Sequence, residues 1–430
     1  MKAVNPDSLS LRLSRGYSPM TRSDSCRARF PSQNGGGSDF IRAMNESKEL
    51  FGKTAEDVQA GAAPPGTGIL PYQQIRALIR DHEIWSEVDI LPAQTQPASL
   101  DLRLGPVAYR VRASFLPGEG ATVAQKIQQF ALHEIDLTKS AVLEKDCVYV
   151  VPLLERLQLS SRIAAAANPK SSTGRLDIFT RLITDRGRAF DEVPVGYQGP
   201  LYAEIVPRTF SVIVRQGSRL SQIRFRRGSA GSSAANLRRL QEQYRLVDDE
   251  HAVIRGDGIA VTLDLAGHGE RGLVGWKAKK HAELVDVDAR DRYDPLDFWD
   301  PIMLRPGRGL VLDPADFYVL ATREAVMVPP DHAAEMMAYD TQVGEFRVHY
   351  AGFFDPGFGY DPAGGQGSRA VLEVRSRDVP FVLEHGQTVG WLRYERLAAA
   401  PDRLYGMPLG SHYQGQGLQL GRQFKPVTGI

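Results

Sequence analysis

The sequence predicts an all-β protein with a few short helices, built as two tandem β-barrel or β-roll domains. Three observations predict it. Short apolar runs, alternating or continuous, are separated by turns rich in Gly, Pro and Asp. Strand-like runs do not alternate with long helical patterns, which argues against a parallel α/β sheet. Five residue pairs recur at one constant spacing, the mark of an internal duplication. The 430 residues allow two to three domains at roughly 150 each.

Composition narrows the function classes. Lys and Arg number 52 and Asp and Glu 51, a net charge of +1, so no global field draws the chain to nucleic acid or to anionic membranes. There is no apolar run of about 18 residues, so a spanning helix is not indicated. The two cysteines, Cys26 and Cys147, cannot build a disulfide framework or a cysteine-rich zinc site, and a reducing cytoplasm is the default setting.

Residues 1–66 are rich in Ser and Arg, contain Gly35-Gly36-Gly37 and close with Ala62-Ala63-Pro64-Pro65-Gly66. They are read as a disordered extension. Two alternatives stay open: a targeting segment, against which Asp7, Asp24, Asp39, Glu46, Glu49, Glu56 and Asp57 argue, and a start at Met44. A first domain is expected over 67–227. It opens with a helix after Pro71, where Ile75, Leu78 and Ile79 recur at helical spacing. Leu100-Asp101-Leu102-Arg103-Leu104 alternates strictly, Cys147–Val151 reads as a buried strand bounded by Pro152, and Leu201–Val206 and Phe210–Val214 continue the pattern. Gly228–Ser233 is a flexible linker by composition, and a short helix with Leu237, Leu240 and Tyr244 on one face completes a connection over 228–250. A second β domain follows over 251–430, where Val261, Leu263 and Leu265 alternate with polar residues. Tyr149 and Tyr318, Glu155 and Glu324, Glu204 and Glu373, Gly217 and Gly386, and Phe225 and Tyr394 are each 169 residues apart.

Four clusters carry chemistry: Pro97–Gly105; Asn168-Pro169-Lys170-Ser171-Ser172-Thr173-Gly174-Arg175; Gly196–Glu204; and Ala351–Gly359 with Tyr405 and His412–Gln416. The second offers hydroxyls, a Lys, an Arg and glycine backbone within a few residues. That suits a phosphate chain, because hydroxyls and amides donate while the cations neutralise charge. A solvated turn between strands is the competing reading. Glu204 ends an otherwise apolar strand pattern, where an unpaired carboxylate is costly and desolvation makes it a better general base. A strand-end glutamate pointing to water is the competing reading there.

Together, and in this order along residues 68–425, these clusters resemble the dCTP deaminase family of the dUTPase-like β fold. The resemblance implies hydrolytic deamination of dCTP to dUTP and ammonia, supplying dUTP for thymidylate synthesis. The first half has the Ser-Ser-x-x-Arg turn and Glu204, but Val193–Tyr197 lacks the Asp of the Asp-Pro-Gly turn. The second half is the converse: Asp340–Glu345 lacks the Arg, while Asp355 and the closing tail are present. One composite site is therefore expected. Ser171 and Arg175 would hold water and base, Glu204 would activate the water, and Asp355, Tyr405 and Gln416 would come from the second half. Lys170, Ser172 and His412 would lie towards the triphosphate, with Thr173, Gly174, Tyr202 and Ala203 completing the nucleotide contacts. Lys170 stands where the family more often has Arg, and His412 where it has Lys. Mg²⁺ is expected through the triphosphate oxygens, with no zinc. The expected partners are dCTP and dUTP and further copies of the chain, with no nucleic acid and no membrane.

Other motifs lead nowhere. His281-Ala282-Glu283 lacks the Pro-Cys-x-x-Cys half of a zinc deaminase signature, and His332-Ala333-Ala334-Glu335 lacks a second His. Two rival functions stay open: a dUTP pyrophosphatase, or a deaminase that also hydrolyses its product; and a non-catalytic nucleotide sensor.

Overall fold

The computed structural model describes residues 66–267, 272–304, 307–338, 346–349, 352–363, 367–376, 378–406 and 417–427. The expectations about residues 1–65, Asp340–Glu345, His412 and Gln416 lie outside the described residues.

The described chain is dominated by antiparallel sheets, in agreement with the all-β expectation. The expected helix forms at Tyr72–Arg80 with Ile75 and Leu78 buried. Strand Leu100–Leu102 is buried on both sides, so its alternation does not mark one wet face. Asp101 and Arg103 are enclosed because each is paired: Asp101 with Lys170 and Arg219, Arg103 with Glu155 at 2.7 Å. Pro152 does not bound its strand, which runs Val148–Gln158. The neighbouring strand Gln198–Pro207 shifts register between Pro200 and Tyr202, opposite Pro152, and a residue without an N–H is tolerated at such a bulge. The Gly228–Ser233 stretch is not loose. Ala230 is buried, its carbonyl accepts the Arg396 N–H at 2.9 Å, and Ser233 caps helix Ala234–Tyr244.

The duplication is visible in the sheet order. In the first half the strands run Ala131–Asp136, Val107–Val111, Val148–Gln158, Gln198–Pro207, Ile178–Thr184. In the second they run Trp299–Met303, Leu273–Ala278, Tyr318–Val326, Ser368–Ser376, Phe346–His349. Ile163–Pro169 and His332–Ala338 differ by 169 at both ends, as do Val212–Val214 and Phe381–Leu383. Even local bonds repeat: the Tyr149 and Tyr318 hydroxyls accept the Glu144 and Asp313 N–H groups, both at 2.9 Å.

The halves share a core. Phe210 and Val212 of the first pack in one cluster with Trp276, Trp299 and Phe317 of the second, and the Phe210 and Trp299 rings meet edge-on at 5.5 Å. Strand Val285–Asp286 of the second half pairs in parallel with Val212–Val214 of the first. A seam of this kind fixes which side chains face each other across it. Among the described residues no helix is long and apolar enough to cross a membrane.

Candidate active site

The nucleotide-type turn follows strand Ile163–Pro169 as one helical turn, Ser171–Gly174. It is not a solvated connection: Ser172, Thr173 and Arg175 are buried and Ser171 is half-buried. The Lys170 N–H at 2.9 Å and the Thr173 hydroxyl at 2.8 Å both donate to the Leu220 carbonyl, which ties the turn to the sheet. The turn sends Lys170 and Arg175 out at opposite ends. Lys170 pairs with Asp101. Arg175 donates to the Gln419 carbonyl at 3.1 Å and so touches the chain's C-terminal segment.

The second half meets both ends of this turn. At the Lys170 end stands Asp355, buried, its carboxyl raised by burial and by nearby Asp101, while Arg224 and Lys170 oppose the rise. Arg224, on strand Ser221–Arg227, reaches across the seam to Asp355 at 3.3 Å and to the carbonyls of Ala334 at 3.1 Å and Phe354 at 3.2 Å. Its guanidinium lies 4.0 Å from the Phe353 ring centre. The turn after Asp355 needs its glycine: Gly357 has φ +95°, and a Cβ there would stand 2.8 Å from Leu404 Cβ and 3.0 Å from the Tyr405 nitrogen. Tyr405 is thereby packed on the turn, its N–H 2.8 Å from the Pro356 carbonyl and its ring 5.6 Å from Phe358.

At the Arg175 end stands Glu373, on strand Ser368–Ser376. Burial pushes its carboxyl up to about 8; the Arg175 cation is the main opposing influence, and Asp177 adds to the rise. A desolvated carboxylate with its affinity for protons raised near neutrality, beside one cation, is what a general base requires.

Glu204 has different company. It is fully buried on strand Gln198–Pro207 and faces Arg181 on Ile178–Thr184, which donates to its Oε1 at 2.6 Å and 3.2 Å. Arg181 lies 3.4 Å from the Phe190 ring centre and also donates to Ser114 Oγ at 2.9 Å. In the same half, Val123 and Ile127 of helix Val123–Phe130 pack in one cluster with Val111, Val150, Ile183 and Tyr202. Ala203 points into the main core. The second glutamate oxygen, Oε2, is buried with no hydrogen-bond partner.

Asp191 sits in this neighbourhood. Burial pushes its carboxyl up to about 7; the Leu182 N–H and Arg181 oppose the rise, and Glu204 and Glu335 add to it. A carboxyl raised above its unfolded value contributes stability present at low pH and lost as pH rises through about 7. Asp191→Asn keeps an acceptor for Leu182 without the charge. Its melting temperature relative to wild type is therefore expected to rise between pH 6 and pH 8, measured by thermal denaturation; a pH-independent difference contradicts the assignment.

The structure thus brings Lys170, Ser171–Arg175, Asp355 and Tyr405 together and adds Asp101, Arg224 and Glu373, while Glu204 pairs with Arg181 in its own half and Tyr202 packs with helix Val123–Phe130. The signal for Glu373 was in the sequence, as the partner of Glu204 at the 169-residue spacing. Among the described residues no three His, Cys, Asp or Glu side chains group so as to hold a metal ion.

Comparison with known proteins gives the geometry a family. Residues 66–229 match the model of the 2'-deoxycytidine 5'-triphosphate deaminase N-terminal domain, and residues 233–424 that of its C-terminal domain. A dUMP-forming dCTP deaminase of Beutenbergia cavernae is 32% identical over 115 residues, 26% of this chain and 56% of that protein. A dCTP deaminase of Natronomonas pharaonis is 31% identical over 123 residues, 28% of this chain and 59% of that one. The matched stretch thus spans less than two thirds of either relative. The crystal structure of 2'-deoxycytidine 5'-triphosphate deaminase from Agrobacterium tumefaciens is 57% identical, with a TM-score of 0.74, over 77% of this chain and 99% of that one. With both family domains matched in tandem and a solved relative covered almost end to end, the chain belongs to the dCTP deaminase family.

Proposed function

We propose that this protein deaminates dCTP hydrolytically to dUTP and ammonia, at a site formed within one chain across the seam between its halves, with Glu373 as the general base. The observation that carries the reading is that Glu373, a buried carboxylate of the second half, lies within the electrostatic field of Arg175, the cation of the nucleotide turn in the first. Glu204 occupies the matching place in the first half. Its carboxylate is already held by Arg181, a cation of its own half, so Glu373 is the better candidate.

In this reading Glu373 takes a proton from water and the hydroxide adds to C4 of cytosine. That proton is handed to ring N3; the base then takes the proton of the new C4 hydroxyl and passes it to the amine, so ammonia departs and C4 keeps the oxygen as a carbonyl. Proton transfer of this kind is worth roughly 10²–10⁴-fold. Arg175 keeps the ionised base in place, and Ser171 orients water and base. Asp355 serves the deoxyribose side. Lys170, Ser172 and the tail residues His412 and Gln416 serve the triphosphate. Mg²⁺ enters as part of the substrate, held by phosphate oxygens. A cytoplasmic setting fits a chain whose described cysteine, Cys147, is a free thiol. Self-association is a separate expectation, because the seam needs no second copy, and light scattering tests it.

The test is incubation of dCTP and of dUTP with Mg²⁺, resolving products. Ammonia and dUTP from dCTP support the reading; no ammonia with intact dCTP binding supports the sensor instead. Pyrophosphate and dUMP would place the chain with the dUMP-forming enzymes, the name several relatives carry. Two further results are expected. With a base whose carboxyl titrates near 8, kcat/KM for dCTP rises with pH and half of it is lost near pH 8 on the acid side; a flat profile between pH 6 and pH 9 contradicts the assignment. Asp355→Ala weakens nucleotide affinity, read by calorimetry with dUTP; unchanged affinity and turnover contradict the composite site.

A further inference from the structure

A second ion pair crosses the seam beside the one proposed for catalysis. Arg175 and Asp177 stand two residues apart where the nucleotide turn runs into strand Ile178–Thr184. Glu373 and Arg375 stand two residues apart on strand Ser368–Ser376 and so share one face. The charges are complementary in order: cation then anion from the first half, anion then cation from the second.

Asp177 is 1% exposed and takes a left-handed backbone conformation, φ +55°. Its N–H donates to the Gly174 carbonyl at 2.8 Å and its carbonyl accepts the Arg208 N–H at 2.9 Å, so its direction is fixed by the turn. Arg375 grips its carboxylate through Nη2 and through Nε at 3.0 Å. Thr209 completes the clasp, donating to Asp177 Oδ2 at 2.6 Å while accepting from Arg375 at 2.8 Å. Arg375 also donates to the carbonyls of Ala315 and Arg208.

We propose that Asp177 and Arg375 are positioning residues for the base: their two-pronged pair registers strand Ser368–Ser376 against the nucleotide turn and so holds Glu373 at Arg175. The inference rests on the reading of Glu373 given above. A buried ion pair is weak evidence for stability but fixes direction here, because two rigidly spaced guanidinium nitrogens and the Thr209 hydroxyl all converge on one oxygen, Asp177 Oδ2. The pair lies one alternation from Glu373, so a slip there moves the base directly, and a one-residue slip would turn it to the other face. Among the described residues the charged groups that act on Glu373 are Arg175 and Asp177; its backbone partners on the neighbouring strands are Val319 and His349.

The experiment compares Asp177→Asn and Arg375→Lys with wild type, recording kcat and KM for dCTP with Mg²⁺ across pH, with thermal melts alongside. Asp177→Asn removes a negative charge beside Glu373, so the acid limb of kcat/KM is expected to move to lower pH, by on the order of one unit. Arg375→Lys keeps the charge and loses the fork. Its kcat is expected to fall at least about tenfold with KM little changed, since small misplacements of reacting groups are costly. If Asp177→Asn does not fold, Thr209→Val removes the hydroxyl that joins the two and is expected to lower kcat in the same way. A drop in melting temperature with an unmoved limb and wild-type kcat overturns the proposal and makes the pair purely structural. If Glu373→Gln itself turns over dCTP at the wild-type rate, the assignment of the base has failed, and the positioning role falls with it.

Discussion

Glu373→Gln is expected to lower ammonia release from dCTP by about 10²–10⁴-fold, the worth of a positioned proton acceptor, while Glu204→Gln keeps a rate near wild type. The two glutamates occupy matching strands of a duplicated fold, so their difference is one of surroundings. Glu373 is desolvated, feels Arg175 of the nucleotide turn as its main opposing charge, and has its carboxyl raised to about 8. Glu204 has Arg181 as its own cation on the next strand, bonded at 2.6 Å. Glutamine preserves the shape of either side chain and removes the proton acceptor. For Glu204→Gln the effect falls on stability instead, since Arg181 loses a charged partner. Steady-state ammonia release by both variants decides; loss of turnover in Glu204→Gln with full activity in Glu373→Gln would reverse the assignment.

Arg224→Ala is expected to destabilise the protein by about 3–5 kcal/mol, the range for removing one partner of a buried ion pair. The side chain is 2% exposed, and it belongs to the first half while its partners belong to the second: Asp355, Glu395 and two backbone carbonyls. Truncation takes the main cation from two buried carboxyls already raised by burial, leaving Asp355 with Lys170 and Glu395 with Arg226 and Arg393, so both are driven towards protonation. It also frees the Asp355 turn from the Lys170 end of the site, so nucleotide affinity falls with stability. Urea unfolding measures the first effect and calorimetry the second. A loss below about 1 kcal/mol, the level of an exposed ion pair, would show that Arg224 does not bind the halves together.

Much of this was legible in the sequence. Turn chemistry and short apolar runs gave the all-β class, and the 169-residue spacing located matching strands to the residue at Val212–Val214 and Phe381–Leu383. The complementary losses, an Asp missing near Val193 and an Arg missing near Gly344, pointed to one site shared between halves. What the sequence did not give was the pairing across the seam. Periodicity says which residues share a face, not which face meets which, and so it could not separate Glu204 from Glu373. The cation that holds Glu204 is Arg181, set opposite it by the register of Ile178–Thr184 on Gln198–Pro207, which no local signal reveals. Pro152 misled because a bulge on the partner strand, invisible locally, lets the proline stay inside. The strict alternation at Leu100–Leu104 did not reveal that Asp101 and Arg103 are buried, because alternation reports polarity and buried ion pairs are polar too.

The central claim is that one nucleotide is held across the seam with its cytosine at Glu373. A crystal structure of the Glu373→Gln variant with dCTP and Mg²⁺ tests it most directly. The account predicts C4 of cytosine beside residue 373, with Arg175 and Ser171 on one side and Asp355 near the sugar. Cytosine seated against Glu204 and Arg181 instead would contradict it.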